Sequence, residues 1–279
     1  MDIRHAVHPE HAAGMDTAAL RRHFLIQDLF VPGAAKLVYC HDDRLIVGGV
    51  CPAGSLLTLK VDPAIIGAAY LLERREMAVL NLGGPGSVIV NAGEMVLNSR
   101  DALYVGMGSR EITFASHEDS EAGPAVFYLV SAPAHATHPM TYVPQNAAEA
   151  VELGDTESGN KRVIRKYVHP GGAKSCQLVM GQTTLAPGCV WNTMPTHTHA
   201  RRTEAYLYCD LPGDRVVFHL MGRPEETRHI VVREREVVLS PSWSLHSGVG
   251  TGAYSFVWAM AGENQTFTDM DAVPMSALR

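Results

Sequence analysis

The chain has 279 residues, 46% of them apolar and 19% charged, a composition typical of a globular protein with one large domain or two small ones. Its 29 acidic and 23 basic residues are scattered and leave a net charge of -6, without a basic run of the kind that binds nucleic acid or a membrane surface. The longest strongly apolar stretch, residues 64–72, is about half the ~20 residues that a membrane-spanning helix needs. We therefore expect neither a nucleic-acid partner nor a membrane.

The five cysteines, Cys40, Cys51, Cys176, Cys189 and Cys209, are odd in number and include no CxxC pair. This pattern is typical of reduced thiols in a cytosolic protein. The N-terminus lacks the 7–15-residue apolar core of a signal peptide. We therefore expect the protein to act in the cytoplasm.

Residues 16–24 predict one short N-terminal helix, capped by Asp16 or Thr17, with Leu20 and Phe24 one turn apart. After it, short runs rich in Val, Ile, Leu, Tyr and Thr alternate with Gly, Pro and Asn, which predicts an all-β sandwich or barrel. The runs are residues 44–50, 56–61, 77–82, 87–90, 112–115 and 125–130, then 163–168, 177–184, 204–209, 216–221, 229–232, 237–239 and 254–260.

A polar, turn-rich segment at residues 145–161 separates the two series of runs. We therefore predict two β units, residues 1–150 and 151–279. A faint repeat relates them, because Glu73–Glu76 resembles Ala200–Glu204 and Arg100–Gly106 can be laid over Ser240–His246.

In that alignment the first unit has Glu76 where the second has Glu204. Ala69, Leu71 and Gly106 then stand where the second unit has three histidines. One carboxylate without imidazoles does not hold a transition metal tightly. We therefore predict that the first unit binds no metal, and that Glu76 pairs with Arg74, Arg75 or another nearby cation.

Three histidines and a glutamate in the second unit have the spacing of a metal site. His197 and His199 are two residues apart, so both rings face the same side of an extended segment. Glu204 has the opposite parity, so the chain between His199 and Glu204 must bend or bulge. His246 follows 42 residues after Glu204, about the distance a barrel needs to return to the same mouth. Such a set suits Zn, Mn, Fe, Co or Ni.

Further side chains are candidates for contacts around this metal. Strand alternation places Tyr206 and Tyr208 on the same side as Glu204, where one could donate a proton. Cations that could hold an anionic substrate are Arg162, Lys166 and Arg202, and Gln265 is a candidate polar contact at the barrel mouth. We assign His219 and His229 to packing or surface roles, and Glu225 and Glu226 to a solvated turn.

The segment Trp191–His199, followed by Arg201, Arg202 and Glu204, closely resembles the 5-keto-4-deoxyuronate isomerase family. Segments with the same resemblance cover nearly the whole chain: Tyr70–Glu76, Arg100–Gly106, Glu226–Ile230, Ser240–Gly250 and Gly262–Gln265. The resemblance implies two tandem double-stranded β-helix barrels, a bicupin. It also implies one zinc ion per chain on His197, His199, Glu204 and His246, and assembly as a homo-oligomer, with a hexamer expected.

The reaction implied by the resemblance is an aldose–ketose isomerisation in the breakdown of pectin and related polyuronides. It converts 5-dehydro-4-deoxy-D-glucuronate to 3-deoxy-D-glycero-2,5-hexodiulosonate. A metal at the carbonyl oxygen would acidify the C2 hydrogen, and Tyr206, Glu204 or a metal-bound hydroxide could be the base. A hydride shift is the alternative route.

Three other functions keep the same metal ligands. A related sugar-acid isomerase, such as 5-deoxyglucuronate isomerase, would differ in its cavity. A cupin dioxygenase would use Fe(II) and consume oxygen. A sugar-binding cupin would bind uronates without turning them over.

Overall fold

The computed structural model describes residues 1–117 and 121–279 and is built almost wholly from β-strands. The strands are β1 Asp2–Arg4, β2 Leu25–Ile26, β3 Ala34–Cys40, β4 Ile46–Cys51, β5 Leu57–Thr58, β6 Arg75–Asn81, β7 Gly86–Val90, β8 Gly93–Leu97, β9 Ala102–Val105, β10 Ile112–Ser116, β11 Phe127–Pro133, β12 Thr141–Val143, β13 Glu149–Leu153, β14 Arg162–Val168, β15 Val179–Leu185, β16 Trp191–Thr198, β17 Arg202–Cys209, β18 Val217–Arg223, β19 Glu226–Val232, β20 Val237–Ser240, β21 His246–Gly250, β22 Ser255–Gly262 and β23 Asp271–Ala272. The helices are α1 Pro9–Ala13, α2 Thr17–Phe24 and α3 Pro63–Ile66, with 3₁₀ turns at Gln145–Ala147 and Met275–Ala277.

The described chain forms two units. Unit 1 contains Met1–Ile3, Asp28–Ala148 and Tyr167–Val179, and unit 2 contains Arg4–Gln27, Glu149–Lys166 and Met180–Arg279. The division predicted at residue 150 differs from these units in three segments, residues 4–27, 149–150 and 167–179.

Unit 1 consists of two sheets around an apolar interior. Its seven-stranded sheet has the order β1-β3-β4-β11-β6-β9-β12, and its four-stranded sheet has the order β5-β10-β7-β8. Alternate side chains of these strands face one core that includes Val79, Val88, Leu103, Phe114 and Phe127. A pair of sheets closed over such a core is what the alternating runs predict.

Unit 2 repeats this strand order. Its seven-stranded sheet is β13-β14-β15-β22-β17-β20-β2, and its second sheet is β19-β18-β21-β16-β23. In this second sheet the strands β16-β21-β18-β19 correspond in order to β5-β10-β7-β8 of unit 1, and β23 is an additional strand beside β16. The structure therefore confirms the predicted all-β architecture and gives both units the same strand order.

The predicted N-terminal helix is confirmed as α2. The Asp16 carboxylate caps it by accepting a 2.7 Å hydrogen bond from the Ala19 amide, and Leu20 and Phe24 are buried. Within unit 2, the Phe24 ring meets Trp243 edge to face at 6.1 Å. None of the helices in the described ranges is long and apolar enough to cross a membrane.

Several strands lie outside the predicted runs, and β13 and β3 are two of them. Residues 149–153, inside the predicted connecting segment, form β13 and pair with β14 from Glu149 opposite Lys166 to Leu153 opposite Arg162. Residues 34–40 form β3, which pairs with β4. Both lie near the edges of their sheets, where one face is open to solvent and the apolar alternation is weak.

The strand register also corrects the predicted alignment of the repeat. In unit 2, β16 and β21 pair His197 with His246. In unit 1, the corresponding strands β5 and β10 pair Leu57 with Phe114. Ala69 and Gly106 lie outside β5 and β10, so they are not the counterparts of these histidines.

The error has a physical cause. Residues 59–74 connect β5 to β6 in unit 1 and include α3, whereas residues 199–201 alone connect β16 to β17 in unit 2. Counting the five and seven residues that separate Glu204 from the two histidines back from Glu76 therefore reaches the connection between β5 and β6, and not the strand β5.

Candidate metal centre

The structure brings all four predicted ligands together. The Nε2 atom of His197 lies 3.2 Å from Nε2 of His199 and 3.2 Å from Nε2 of His246. Oε2 of Glu204 lies 3.3 Å from Nε2 of both His199 and His246. Four ligand atoms from four places in the chain therefore converge on one point.

Local backbone geometry explains the convergence. A register shift between Asn192 and His197 distorts β16 just before the ligands. The chain then turns at residues 199–201, where the Arg202 amide donates to the His199 carbonyl at 2.9 Å. β17 starts at Arg202 and carries Glu204 into the unit. The predicted bend between His199 and Glu204 is thus confirmed.

The outer nitrogens of the three rings also have partners. His199 Nδ1 lies 2.9 Å from the Asp269 carbonyl oxygen, and His246 Nδ1 lies 3.3 Å from Ser240 Oγ. His197 Nδ1 is 3.4 Å from the Pro195 carbonyl oxygen, a weak contact. An Nδ1–H that donates to a carbonyl leaves the Nε2 lone pair free, the tautomer that ligates metals.

The electrostatics of the cluster fit a divalent cation. Burial, and then the neighbouring rings, lower the pKa of His197 and His246, so both imidazoles are neutral at pH 7. Glu204 Oε2 is buried and accepts no hydrogen bond from the described residues. Lone pairs packed this closely repel one another unless a cation lies between them. Three imidazoles and a carboxylate are ligands that suit Zn, Mn, Fe, Co or Ni.

The cluster opens into a cavity of about 290 Å³ in unit 2. Strand β22 contributes its alternate side chains Phe256, Trp258 and Met260 to one wall. The other lining residues are Leu153, Arg162, Ile164, Thr183, Thr193, Met194, Pro195, Thr196, His197, His199, Glu204, Tyr206, Phe267, Thr268, Met270 and Ala272. We call His197, His199, Glu204 and His246 the metal-type centre, because these residue types bind metals, and it opens into a largely apolar cavity.

The predicted substrate contacts separate into two groups. Arg162 lines the cavity. Lys166 instead forms a 2.8 Å ion pair with Glu149 and lies over the Phe267 ring, 4.5 Å from its centroid. Arg202 is fully buried behind His199, and Gln265 is half-buried outside the described lining. Of these four predicted contacts, Arg162 is the one found among the described residues that line the cavity.

Tyr206 lies where strand alternation predicts, with its ring centroid 5.2 Å from that of His246. Burial, and then the nearby Glu204, raise the pKa of this phenol well above its ordinary value, so it keeps its proton at neutral pH. Tyr208 lies deeper, and its hydroxyl is 2.7 Å from His219 Nδ1. His219 is buried beside Tyr206, and burial lowers its pKa to about 3.

Sequence reasoning missed Asp269 and the apolar wall. The wall had a signal, because Phe256, Trp258 and Met260 alternate along one strand opposite Glu204 and Tyr206. Asp269 had none, since it reaches His199 through a backbone carbonyl, which every residue carries.

In unit 1 the predicted pairing of Glu76 with a cation is wrong. The Glu76 carboxylate accepts hydrogen bonds from the Tyr104 hydroxyl at 2.8 Å and from the amides of Cys176, Gln177 and Leu178 at 2.6, 2.9 and 2.8 Å. Arg75 points elsewhere, because its Nε donates to Ser131 Oγ. No described cation lies within ion-pair distance of Glu76, and backbone donors satisfy it instead.

Comparisons with known proteins identify the family. The KduI/IolB family matches residues 33–275. Two relatives named 4-deoxy-L-threo-5-hexosulose-uronate ketol-isomerase match over the full length of both chains, one from Kineococcus radiotolerans at 53% identity and one from Caldicellulosiruptor bescii at 50%.

Solved structures agree on the fold. An IolB-like protein from Salmonella typhimurium LT2 superposes with a TM-score of 0.62 at 15% identity, covering 80% of this chain and 84% of its own. Lactobacillus farciminis oxalate decarboxylase gives 0.56 at 10% identity, covering 86% and 83%. With the paired sheets, these neighbours confirm the predicted cupin fold. The chain belongs to the KduI/IolB family and is an enzyme of the ketol-isomerase class, an intramolecular oxidoreductase.

Proposed function

We propose that this enzyme converts 4-deoxy-L-threo-5-hexosulose uronate to 3-deoxy-D-glycero-2,5-hexodiulosonate in polyuronide catabolism, with one zinc ion per chain. The observation that carries the proposal is the convergence of three imidazole Nε2 atoms and the Glu204 carboxylate in a largely apolar cavity. The printed names of relatives at 50–53% identity over the full chain support the choice of substrate.

The four convergent side chains His197, His199, Glu204 and His246 are the proposed zinc ligands. A divalent ion held there supplies positive charge beside the substrate carbonyl oxygen, which acidifies the neighbouring C–H and stabilises the negative charge that develops. The partners of the Nδ1 atoms hold the rings in place, so little rearrangement is needed when the ion binds.

Arg162 is the proposed anchor for the substrate carboxylate. Its Nη1 donates to the Asn160 carbonyl at 2.9 Å, which fixes the guanidinium at the cavity wall. Burial lowers its pKa, but an arginine remains charged at neutral pH. A guanidinium offers a carboxylate two parallel hydrogen bonds, and this orients the sugar acid as well as attracting it.

Tyr206 is the proposed proton donor. Its raised pKa keeps the phenol protonated, and its ring lies on the cavity wall next to His246. A protonated phenol at this position donates to a substrate oxygen as charge develops on it. Hydrogen at C2 then moves to C1 through Glu204 as a base or by direct hydride shift. Deuterium placed at C2 distinguishes these routes, since only the base route exchanges it with solvent.

The decisive experiment is NMR of the purified, metal-analysed protein mixed with the product of an unsaturated-uronide hydrolase. We expect conversion of the 5-keto to the 2,5-diketo acid, with one zinc per chain. A parallel reaction with 5-deoxyglucuronate tests the related isomerase activity, and an oxygen electrode tests a dioxygenase. Turnover of 5-deoxyglucuronate alone, or oxygen uptake by an iron-loaded protein, would contradict the proposal.

We also propose a cytoplasmic homo-oligomer, with a hexamer as the expected state. The small anionic substrate and the reduced cysteines support the cytoplasm as the compartment. Light scattering coupled to size-exclusion chromatography measures the assembly, and a monomeric mass would contradict it.

A further inference from the structure

A ten-residue segment of unit 2, residues 263–272, passes from the end of β22 to the metal-type centre. We call it the strap. It leaves the sheet at Gly262, whose φ is 154° and which faces Arg202 across the β17–β22 pair. A Cβ at Gly262 would lie 2.2 Å from the Arg201 carbonyl oxygen, so only glycine permits this close passage. The strap then contributes Phe267, Thr268, Met270 and Ala272 to the cavity lining.

The strap also holds both histidines of the His-Thr-His segment. Its last residues form β23, which pairs Ala272 with His197 and Asp271 with Thr198. Two residues before β23, the Asp269 carbonyl oxygen lies 2.9 Å from His199 Nδ1. The same oxygen accepts a 2.7 Å hydrogen bond from Arg202 Nη2. Arg202 Nη2 also lies 3.2 Å from His199 Nδ1, but the Asp269 carbonyl is nearer and can accept the Nδ1 proton, which a guanidinium cannot.

The side chain of Asp269 is in turn held by Arg201. Arg201 Nε donates to both carboxylate oxygens of Asp269, at 2.8 and 2.9 Å, and Asn264 Nδ2 donates to Oδ2 at 2.5 Å. Arg201 Nη2 also donates to both carboxylate oxygens of Asp271, at 2.9 Å each. One guanidinium thus clamps two strap carboxylates, and a planar fork with two acceptors fixes direction as well as distance.

We infer that Asp269 is a positioning residue for the metal ligand His199. Its clamped side chain fixes its own carbonyl, and that carbonyl accepts the Nδ1 proton and leaves Nε2 free for the ion. The inference rests on the proposed metal site. Partners of this kind, one bond beyond the ligand, typically change metal affinity 10–100-fold when they are lost.

Two aspartates on the strap provide a matched test. Asp269→Ala removes the clamp on the carbonyl that touches His199. Asp271→Ala removes a carboxylate that binds the same Arg201 and accepts a 3.1 Å hydrogen bond from the Ala200 amide, but no described contact joins Asp271 to a histidine ring nitrogen. We expect Asp269→Ala to weaken Zn²⁺ and Co²⁺ binding at least ~10-fold in a chelator competition. Asp271→Ala should stay within about threefold of the wild type.

The visible absorption of the Co²⁺-loaded protein is a second readout, because it reports ligand geometry and not stability. We expect a changed spectrum for Asp269→Ala and a wild-type spectrum for Asp271→Ala. If Asp269→Ala does not fold, Asp269→Asn, which keeps the volume and loses the charge, is measured instead. The same 10-fold and threefold limits then apply.

Three outcomes are informative. Equal affinity and spectrum for Asp269→Ala and the wild type would overturn the inference. An equal loss in both aspartate variants would overturn it too, since it would show general anchoring of the strap. Failure of the wild type itself to bind one Zn²⁺ or Co²⁺ per chain would instead overturn the proposed function on which the inference rests.

Discussion

The two units have the same strand order but different interiors. In unit 2, strands β16 and β21 place His197 opposite His246, and a cavity with a metal-type centre lies beside them. In unit 1, the corresponding strands place Leu57 opposite Phe114, and Phe114 is part of a continuous apolar core. Corresponding strands therefore carry different residue types, and those residue types decide between a polar cluster and an apolar core.

The glutamates Glu76 and Glu204 make the same point more sharply. Both are buried, but Glu76 receives three backbone amides and a tyrosine hydroxyl, whereas Glu204 faces two imidazole nitrogens. A carboxylate satisfied by hydrogen bonds stabilises the fold. A carboxylate grouped with imidazole nitrogens is available to a cation.

The strongest test of the comparison changes His246 on β21 and Phe114 on β10, the corresponding strand of unit 1. His246→Ala should abolish isomerisation and lower the metal content, because three remaining ligands lose affinity and geometry. Phe114→Leu in unit 1 should leave one metal per chain and full turnover, and lower the melting temperature instead. Metal analysis and NMR turnover measure both variants. Unchanged metal stoichiometry in His246→Ala would refute the four-ligand assignment.

The carboxylates provide the next test. Glu204→Gln keeps the side-chain shape but removes the charge next to His199 and His246, so turnover should fall at least ~100-fold at full metal loading. The measurement is kcat with saturating zinc. A wild-type rate would show that this charge has no part in the reaction.

Glu76→Gln is the matched change in unit 1. It replaces one acceptor oxygen by an NH₂ group facing backbone N–H donors, which should cost about 2–3 kcal/mol of folding stability. We expect kcat per folded, metal-loaded chain to stay within about threefold, roughly 0.7 kcal/mol in barrier. The exposed Glu94→Gln, on β8, is the control for stability. A folded, metal-replete but inactive Glu76→Gln protein would show that unit 1 takes part in the chemistry.

The last test concerns pH, because unit 2 buries the titratable ring of His219. Burial holds the pKa of His219 at about 3, below its ordinary value of 6.5, so the folded chain stays unprotonated there while the unfolded chain binds a proton. Stability is therefore present above about pH 6.5 and is lost as the pH falls towards 3, by about 1.4 kcal/mol per pH unit.

His219→Gln should remove that component of the acid sensitivity. Urea unfolding of the metal-free protein at two pH values between 4 and 6.5 measures it, with the exposed His229→Gln as the control. A pH dependence equal to that of the wild type in His219→Gln would contradict the assignment.

Residue chemistry and local spacing were enough to predict several features. The parity of His197 and His199, the bend before Glu204 and the late His246 predicted which four side chains would come together, because these depend on periodicity along one chain. The helix at residues 17–24 followed from its cap and its apolar spacing for the same reason.

Long-range pairing alone decided the rest. The sequence placed Arg202 at the substrate, but the β17–β22 pair buries it behind His199, next to a carbonyl from residue 269. Glu76 meets amides 100 to 102 residues away, which no local pattern encodes. The correspondence of β5 and β10 with β16 and β21 follows only from the order of the strands in the sheets. Residue types fix which chemistry is possible, whereas the partners of each buried polar group depend on which strands the tertiary fold pairs.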